Sequence, residues 1–384
     1  MITAQSKSLI AAWNYSSSDH LLHVLPLHHI HGTINAILAP LIAGSTIEFM
    51  FPFNPTTVWT RFADPFLPDK KVKEPITFFT VVPTVYNRLL STFSSLPTDV
   101  QVAAKEGISP KSLRLNISGS AALPTPTKKA WTDLSNGNVL LERYGMTEVG
   151  MALSCGLPNN TRVDGSVGWP LPNVEVRLVD TDTGDVILPG EELSADGKER
   201  DGEIQLRGPT IFKEYWDNEK ATEAEHVEGE DGCGRWFKTG DVAIRRPVPT
   251  STSSDESSSN TWGQGPMYFI RGRMSADIIK SGGEKVSALE VERELLSLPQ
   301  IEEAAVVAVP SGKWGQKVGA IVILKSDAQG KAGKTWGPMD MRRALKERLA
   351  NYKIPQVMKI VDEIPKNAMG KSKFHSIMPG RDRH

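Results

Sequence analysis

Short apolar runs alternate with helical spacing through the first half of the chain. Residues 21–27 (LLHVLPL), 76–83 (ITFFTVVP), 113–118 (LRLNIS) and 138–144 (NVLLERY) each read as a buried strand. The second is followed by TVYNRLLSTF with helical periodicity, and the third turns through Gly119 and Ser120 into a helix predicted to open near Pro124. Strand–loop–helix units in series predict a parallel α/β sheet, with ligands expected at the carboxyl ends of its strands. Ahead of them, Ile2, Leu9, Ile10 and Trp13 recur at helical spacing.

From about Val174 the rhythm changes. VEVRLVD, GEIQLRG, WFKTGDVAI and MYFIRGR are short strands between Gly and Asp turns, which predicts a smaller, mostly antiparallel region. Residues 246–266 form a Ser/Thr-rich insertion that cannot bury a core and is expected to be a disordered surface loop. After Arg273 the pattern becomes compact α+β: helix SALEVERELLSL, strands EEAAVVAVP and VGAIVILK, helix MDMRRALKERLANY and a last strand VMKIVDEI. That segment has the size of a separate C-terminal domain.

Composition narrows the function. The 384 residues carry a formal net charge of −1, so no global basic balance argues for a nucleic acid. Two distant cysteines, Cys155 and Cys233, form neither a disulfide framework nor a zinc signature, which suits a reducing intracellular compartment. No apolar run approaches the ~20 residues of a membrane span.

The candidate chemistry sits at the ends of the predicted strands. In LLERYGMTE the strand is expected to stop at Tyr144-Gly145, leaving Thr147 and Glu148 on the following loop. A hydroxyl there can donate to a phosphate oxygen, and a carboxylate can hold a hard cation such as Mg2+; an ordinary turn is the alternative. In SGSAALP the small residues Gly119, Ser120 and Ala121 would let a flat base approach the backbone, or simply make a tight turn. His28, His29 and His31 fit no standard zinc pattern, so strand-end packing against a substrate is the expectation for His29 and His31. Gly370-Lys371-Ser372 is no P-loop, because proline rather than glycine stands at position 365.

Six segments, LPLHHIHG, LRLNISGSAALP, LLERYGMTE, WFKTGDVA, IRGRMSADIIKSGGEKVSALEVE and IPKNAMGKSK, occur in that order. Together they resemble the motif series of the adenylate-forming (AMP-binding) acyl-CoA synthetases, in wording closest to the malonyl-CoA synthetase branch. The resemblance implies a large α/β adenylation domain, partial here (residues 1–272), followed by a smaller α+β C-terminal lid domain (273–384). It implies ATP, Mg2+ and coenzyme A as cofactors, a short dicarboxylic acid (malonate or methylmalonate) as the small-molecule partner, and ligation through an acyl-adenylate.

Residue by residue, the resemblance assigns Thr147 to the α-phosphate and Glu148 to the metal. Gly119, Ser120, Ala121, Tyr144 and Gly145 go to the nucleotide, Asp241 to the ribose hydroxyls, and Arg273 to ribose or phosphate. Turn capping is the alternative for Asp241 and a surface ion pair for Arg273. Lys371 would neutralise charge on the α-phosphate in the first half-reaction, and then leave as the lid rotates about Met274–Ala276; a solvated lysine in a basic tail is the alternative. His29 or His31 would line the acyl pocket. Arg114, in the Arg-Leu…Ser-Gly-Ser context, would hold the distal carboxylate of malonate with its two parallel donors, the alternative being a strand-edge arginine facing solvent.

The family's phosphate loop is expected upstream of LPLHHIHG, and this sequence has no such segment. Truncation at the N-terminus is therefore expected, which leaves productive ATP binding and compartment (cytoplasm or mitochondrion) open. A fatty- or aryl-acid CoA ligase, or a silent chain that only binds AMP or CoA, are the other readings.

Overall fold

In the computed structural model, residues 1–68, 74–248, 262–312, 315–326, 328 and 336–365 are described. The chain divides into two compact units. One comprises Met1–Leu123, Thr127–Thr239 and Ala243–Ile270; the other runs from Arg271 and takes in the short segments Pro124–Pro126 and Gly240–Val242.

The first unit is built on a seven-stranded sheet in the order β2-β1-β3-β4-β5-β6-β7. Strands β1 (His20–His23), β2 (Thr46–Phe49), β3 (Phe78–Val81), β4 (Leu115–Ser118) and β5 (Leu141–Met146) pair in parallel. Adjacent residues feed opposite faces. Leu21, Phe78, Leu115 and Leu141 join the cluster that contains Leu9 and Trp13 of α1 (Ile2–Trp13). Leu22, Phe79, Val81 and Leu140 join the cluster of Trp59, Phe62, Tyr86 and Trp131 from α3 (Pro55–Ala63), α4 (Pro83–Thr92) and α6 (Thr125–Leu134). Burial on both faces is why these runs read as continuously apolar rather than alternating.

At β5 the parallel order ends. β5 turns back antiparallel into β6 (Gly150–Ser154), which pairs antiparallel with β7 (Trp169–Pro170). The hairpin needs its glycines: a Cβ on Gly145 would lie 2.1 Å from the Gly150 carbonyl oxygen. Gln5 of α1 closes the β6 edge, its amide oxygen accepting from Met151 N at 2.7 Å and its amide nitrogen donating to Met151 O at 3.2 Å.

A six-stranded sheet follows, in the order β11-β12-β10-β8-β9 with β13 (Met267–Arg273) paired to β12 (Arg235–Arg246). Its β8 (Glu175–Asp180), β9 (Val186–Ile187) and β10 (Gly202–Arg207) pair antiparallel, as do β11 (His226–Glu228) and β12. The Ser/Thr-rich stretch 249–261, the heart of the predicted insertion, lies outside the described residues.

The second unit carries a five-stranded sheet: β14 (Ile278–Ser281), β15 (Glu284–Ser287), β16 (Ile301–Ser311), β17 (Gly315–Leu324) and β18 (Val357–Ile360). Helices α8 (Ala288–Leu296) and α9 (Pro338–Leu345) cover one face, where Val291, Leu295, Met341 and Leu345 pack on Val318, Ala320 and Val322. Helix α8 starts cleanly because the Ser287 side chain accepts from Glu290 N. The second predicted helix is shorter than its pattern, ending at Leu345 rather than Tyr352.

Candidate active site

The carboxyl ends of β3, β4 and β5 gather buried polar groups in the first unit. Thr80 and Val81 of β3 stand opposite Ile117 and Ser118 of β4, and Ser118 stands opposite Glu142 of β5. Arg143 is the next residue along. Its side chain is buried and lies against the bare Cα of Gly119, where a Cβ would come within 2.3 Å of Nε and 2.4 Å of Cζ. Gly119 thus makes room for a guanidinium. Ser120, in a left-handed conformation with φ 68°, accepts from Arg143 Nη2 at 3.2 Å. Ala121 is exposed.

No carboxylate pairs with Arg143 among the described residues, and its Nε has no protein acceptor there. Burial therefore acts alone and pulls its pKa down to about 9, which still leaves it a cation at neutral pH. A buried guanidinium without an anion is costly, and a planar carboxylate is the partner its fork geometry fits.

His31 opens the π-helical turn His31–Leu38, and its Nε2 is 2.6 Å from the Thr80 hydroxyl. Burial first, then the charge of Arg143, hold His31 well below the usual histidine range, so the ring is neutral. Its Nδ1 and the Ser118 hydroxyl have no protein partner among the described residues. Buried polar atoms are normally satisfied, so this end of the sheet is equipped for a polar ligand. His29 is half-buried with its ring 4.2 Å from that of His28.

Strand β5 continues through Tyr144 and Gly145 to Met146, one residue past the expected stop. Thr147 and Glu148 form the turn into β6, closed by Val149 N donating to Met146 O. Thr147 is exposed and Glu148 half-buried. Tyr144 is half-buried, and Gly145 has the hairpin approach as its structural reason. As a donor set, one carboxylate beside one hydroxyl suits Mg2+, which takes one or two protein oxygens and completes its shell with water and phosphate. No group of three or more His, Cys, Asp or Glu able to hold a metal by itself occurs among the described residues.

Arg114 requires correction. It precedes β4, so it stands at the amino edge of the parallel sheet, the opposite end from Ser120 and Arg143. There its Nε and Nη2 donate to the two Asp19 oxygens at 2.6 and 2.5 Å, while Nη1 and Nη2 donate to the Trp13 and Asn14 carbonyls. The fork assigned to malonate is filled by Asp19, whose side chain is only 2% exposed.

In the second unit Asp241 and Arg273 come together, with Nε 3.2 Å from Oδ1. The turn after Arg273 is tight: Asp277 Oδ2 accepts from Arg273 N, and Met274 N donates to Gly240 O. The expected pivot Met274–Ala276 occupies this turn. Lys371 lies outside the described residues.

With this geometry in hand, comparison with known proteins is informative. The sequence profile of the AMP-binding enzymes matches residues 1–216, more than half of the chain. The chain belongs to that family. The profile of the AMP-binding enzyme C-terminal domain matches residues 290–371.

Among AMP-binding relatives, a CoA ligase of Gibberella moniliformis (strain M3125 / FGSC 7600) is 57% identical over 390 residues, covering 96% of this chain and 63% of the relative. The mitochondrial malonate–CoA ligase ACSF3 of Homo sapiens is 39% identical over 389 residues, covering 96% and 60%. Among solved structures, ATP-bound MatB from Rhodopseudomonas palustris superimposes with a TM-score of 0.73 at 30% identity, covering 97% of this chain and 62% of that one. The chain spans about three-fifths of the length of these relatives. Among the described residues no helix is long and apolar enough to cross a membrane.

Proposed function

We propose that this chain carries the acid-binding and nucleotide-binding parts of an ATP-dependent ligase that joins malonate to coenzyme A. The single observation that carries the reading is Arg143: a buried cation without an anionic partner among the described residues, at the carboxyl edge of the sheet. Monocarboxylic fatty or aryl acids would leave it unpaired, whereas the distal carboxylate of a short diacid would neutralise it. Ser120, bonded to the same guanidinium, and neutral His31 would complete the polar wall around that carboxylate. The names of the human and bacterial relatives support a malonate substrate; methylmalonate adds only one methyl group.

In this reading one malonate carboxylate attacks the α-phosphorus of ATP and pyrophosphate leaves, giving malonyl-AMP. The thiol of coenzyme A then attacks the acyl carbon and AMP departs. Arg143 anchors the unreacting carboxylate through both steps and so fixes which end of the diacid meets phosphorus. Thr147 would donate to the α-phosphate, and Glu148 would hold Mg2+. When bound, that cation neutralises charge on the phosphate oxygens. Roles for Asp241 at the ribose, and for Arg273 and Lys371 at the phosphate, rest on the motif series alone. The reaction is read as intracellular, cytosolic or mitochondrial, and the name of the human relative supports the second.

The test is pyrophosphate release by the purified 384-residue chain with malonate, acetate or octanoate. Release with malonate alone supports the ligase reading. Release with octanoate but not malonate would overturn the diacid assignment, and AMP binding without release would favour a silent nucleotide-binding chain.

A further inference from the structure

Glu148 is gripped from a part of the chain that no motif above includes. The loop after β10 runs past the turn between β5 and β6, and Phe212 N donates to the Glu148 carbonyl at 2.8 Å. Three residues on, the Tyr215 hydroxyl donates to Glu148 Oε1 at 3.1 Å. One loop therefore holds both the backbone and the carboxylate of the same residue. The loop is itself anchored: the Phe212 and Tyr215 rings meet edge-on at 4.7 Å, and Phe212 packs edge-on against Phe237 of β12 at 5.1 Å. Tyr215 N donates to Thr222 Oγ1 at 2.9 Å, tying the loop to α7 (Glu219–Ala224).

A glutamate has three rotatable bonds, and on a turn it would sample many rotamers. A donor on Oε1 fixes the carboxylate plane and leaves Oε2 with no protein donor among the described residues. Hydrogen bonds of this kind, one step removed from a metal, set the orientation of the oxygen that meets the ion. We infer that Tyr215 is a positioning residue: its hydroxyl orients the Glu148 carboxylate toward a divalent cation carried by the nucleotide phosphate. The inference rests on the reading of Glu148 as the metal-holding carboxylate.

Tyr215→Phe removes the hydroxyl and keeps the ring against Phe212, so packing is preserved. The readout is Mn2+ uptake, followed by the EPR signal of the free ion, in the chain saturated with AMP, which needs no turnover. Thermal midpoint and AMP affinity without metal are measured alongside, with Glu148→Gln as the second variant. The expected result is a Mn2+ dissociation constant raised roughly 10-fold in Tyr215→Phe, with unchanged midpoint and metal-free AMP affinity, and no uptake in Glu148→Gln. Wild-type Mn2+ affinity in Tyr215→Phe, with uptake lost in Glu148→Gln, would overturn the positioning role and leave the reading of Glu148 standing. Undiminished uptake in Glu148→Gln would overturn that reading and this inference with it. A parallel fall in melting point and metal-free AMP affinity in Tyr215→Phe would overturn the inference by making the role structural.

Discussion

The guanidinium of Arg143 lies against Gly119, so close that a methyl group on Gly119 would sit 2.3 Å from its Nε. The glycine and the arginine act as one device. Gly119→Ala must therefore displace Arg143 while leaving its charge in place. The expected outcome is a fall in kcat/KM for malonate on the order of 100-fold, equivalent to ~2.7 kcal/mol, the size of a charged hydrogen-bonding contact. Steady-state kinetics with malonate and acetate side by side would check it, since acetate use should change far less.

Arg143→Met separates binding from stability. Replacing a buried unpaired cation with an apolar side chain of similar length removes a desolvation penalty. The melting temperature is expected to hold or rise, with stability increasing by up to ~2 kcal/mol, while malonate use disappears. Calorimetry and the pyrophosphate assay on the same preparation would show the two effects moving in opposite directions.

Arg114→Met should do the reverse. Asp19 is buried, and burial alone would raise its pKa; the Arg114 guanidinium, the Ser16 amide and the Thr77 hydroxyl outweigh that and hold it below the usual aspartate range. Breaking the pair leaves a buried carboxylate uncompensated, at a cost of about 3 kcal/mol. Because the folded pKa is depressed, this stabilisation is present above the ordinary aspartate value of ~3.9 and is lost as pH falls through the folded value. Urea denaturation at pH 7 should show the full loss, and the gap between variant and wild type should close in acid. Selectivity for malonate should be unaltered.

Glu292 on α8 offers a second pH test. Burial, assisted by the charge of Asp277 and opposed by a hydrogen bond from Val306 N, pushes its carboxyl group up to about 8. A raised folded value means that the native state keeps a proton which the unfolded chain has released. Stability contributed by this group is therefore present below the unfolded pKa and declines as pH rises toward 8. Glu292→Gln should flatten that decline in thermal midpoints measured between pH 5 and pH 8.

Much of the sheet was legible in the sequence because its strands are apolar on both faces. The runs around Phe78–Val81 and Leu115–Ser118 could hardly be anything else. Helix α3, helix α5 (Thr98–Gly107) and the π-helical turn at His31 are not among the elements the apolar spacing predicts. Helix α3 had a signal, Asn54 capping Thr57 N with proline at the first helical position. The turn at His31 had none, since periodicity assumes 3.6 residues per turn.

The misplacement of Arg114 has a simple cause. Nearness in sequence to Ser118-Gly119-Ser120 does not reveal which edge of a parallel sheet a residue occupies, and a strand start lies at the edge opposite its end. Arg143 sits inside LLERYGMTE, where the motif series assigns it no role. Its signal is a cation directly after Leu140, Leu141 and Glu142, inside a strand that continues to Met146. Tyr215 had no such signal, because its bond to Glu148 spans 67 residues.

The central claim is that Arg143 reads a distal carboxylate. It is tested most directly by equilibrium binding of two stable acyl-adenylate mimics, malonyl and acetyl sulfamoyl-adenosine, to the wild-type chain and to Arg143→Met. The account predicts that wild type binds the malonyl compound on the order of 100-fold more tightly and that Arg143→Met binds both alike. Equal affinities in wild type, or a malonyl preference that survives in Arg143→Met, would contradict it.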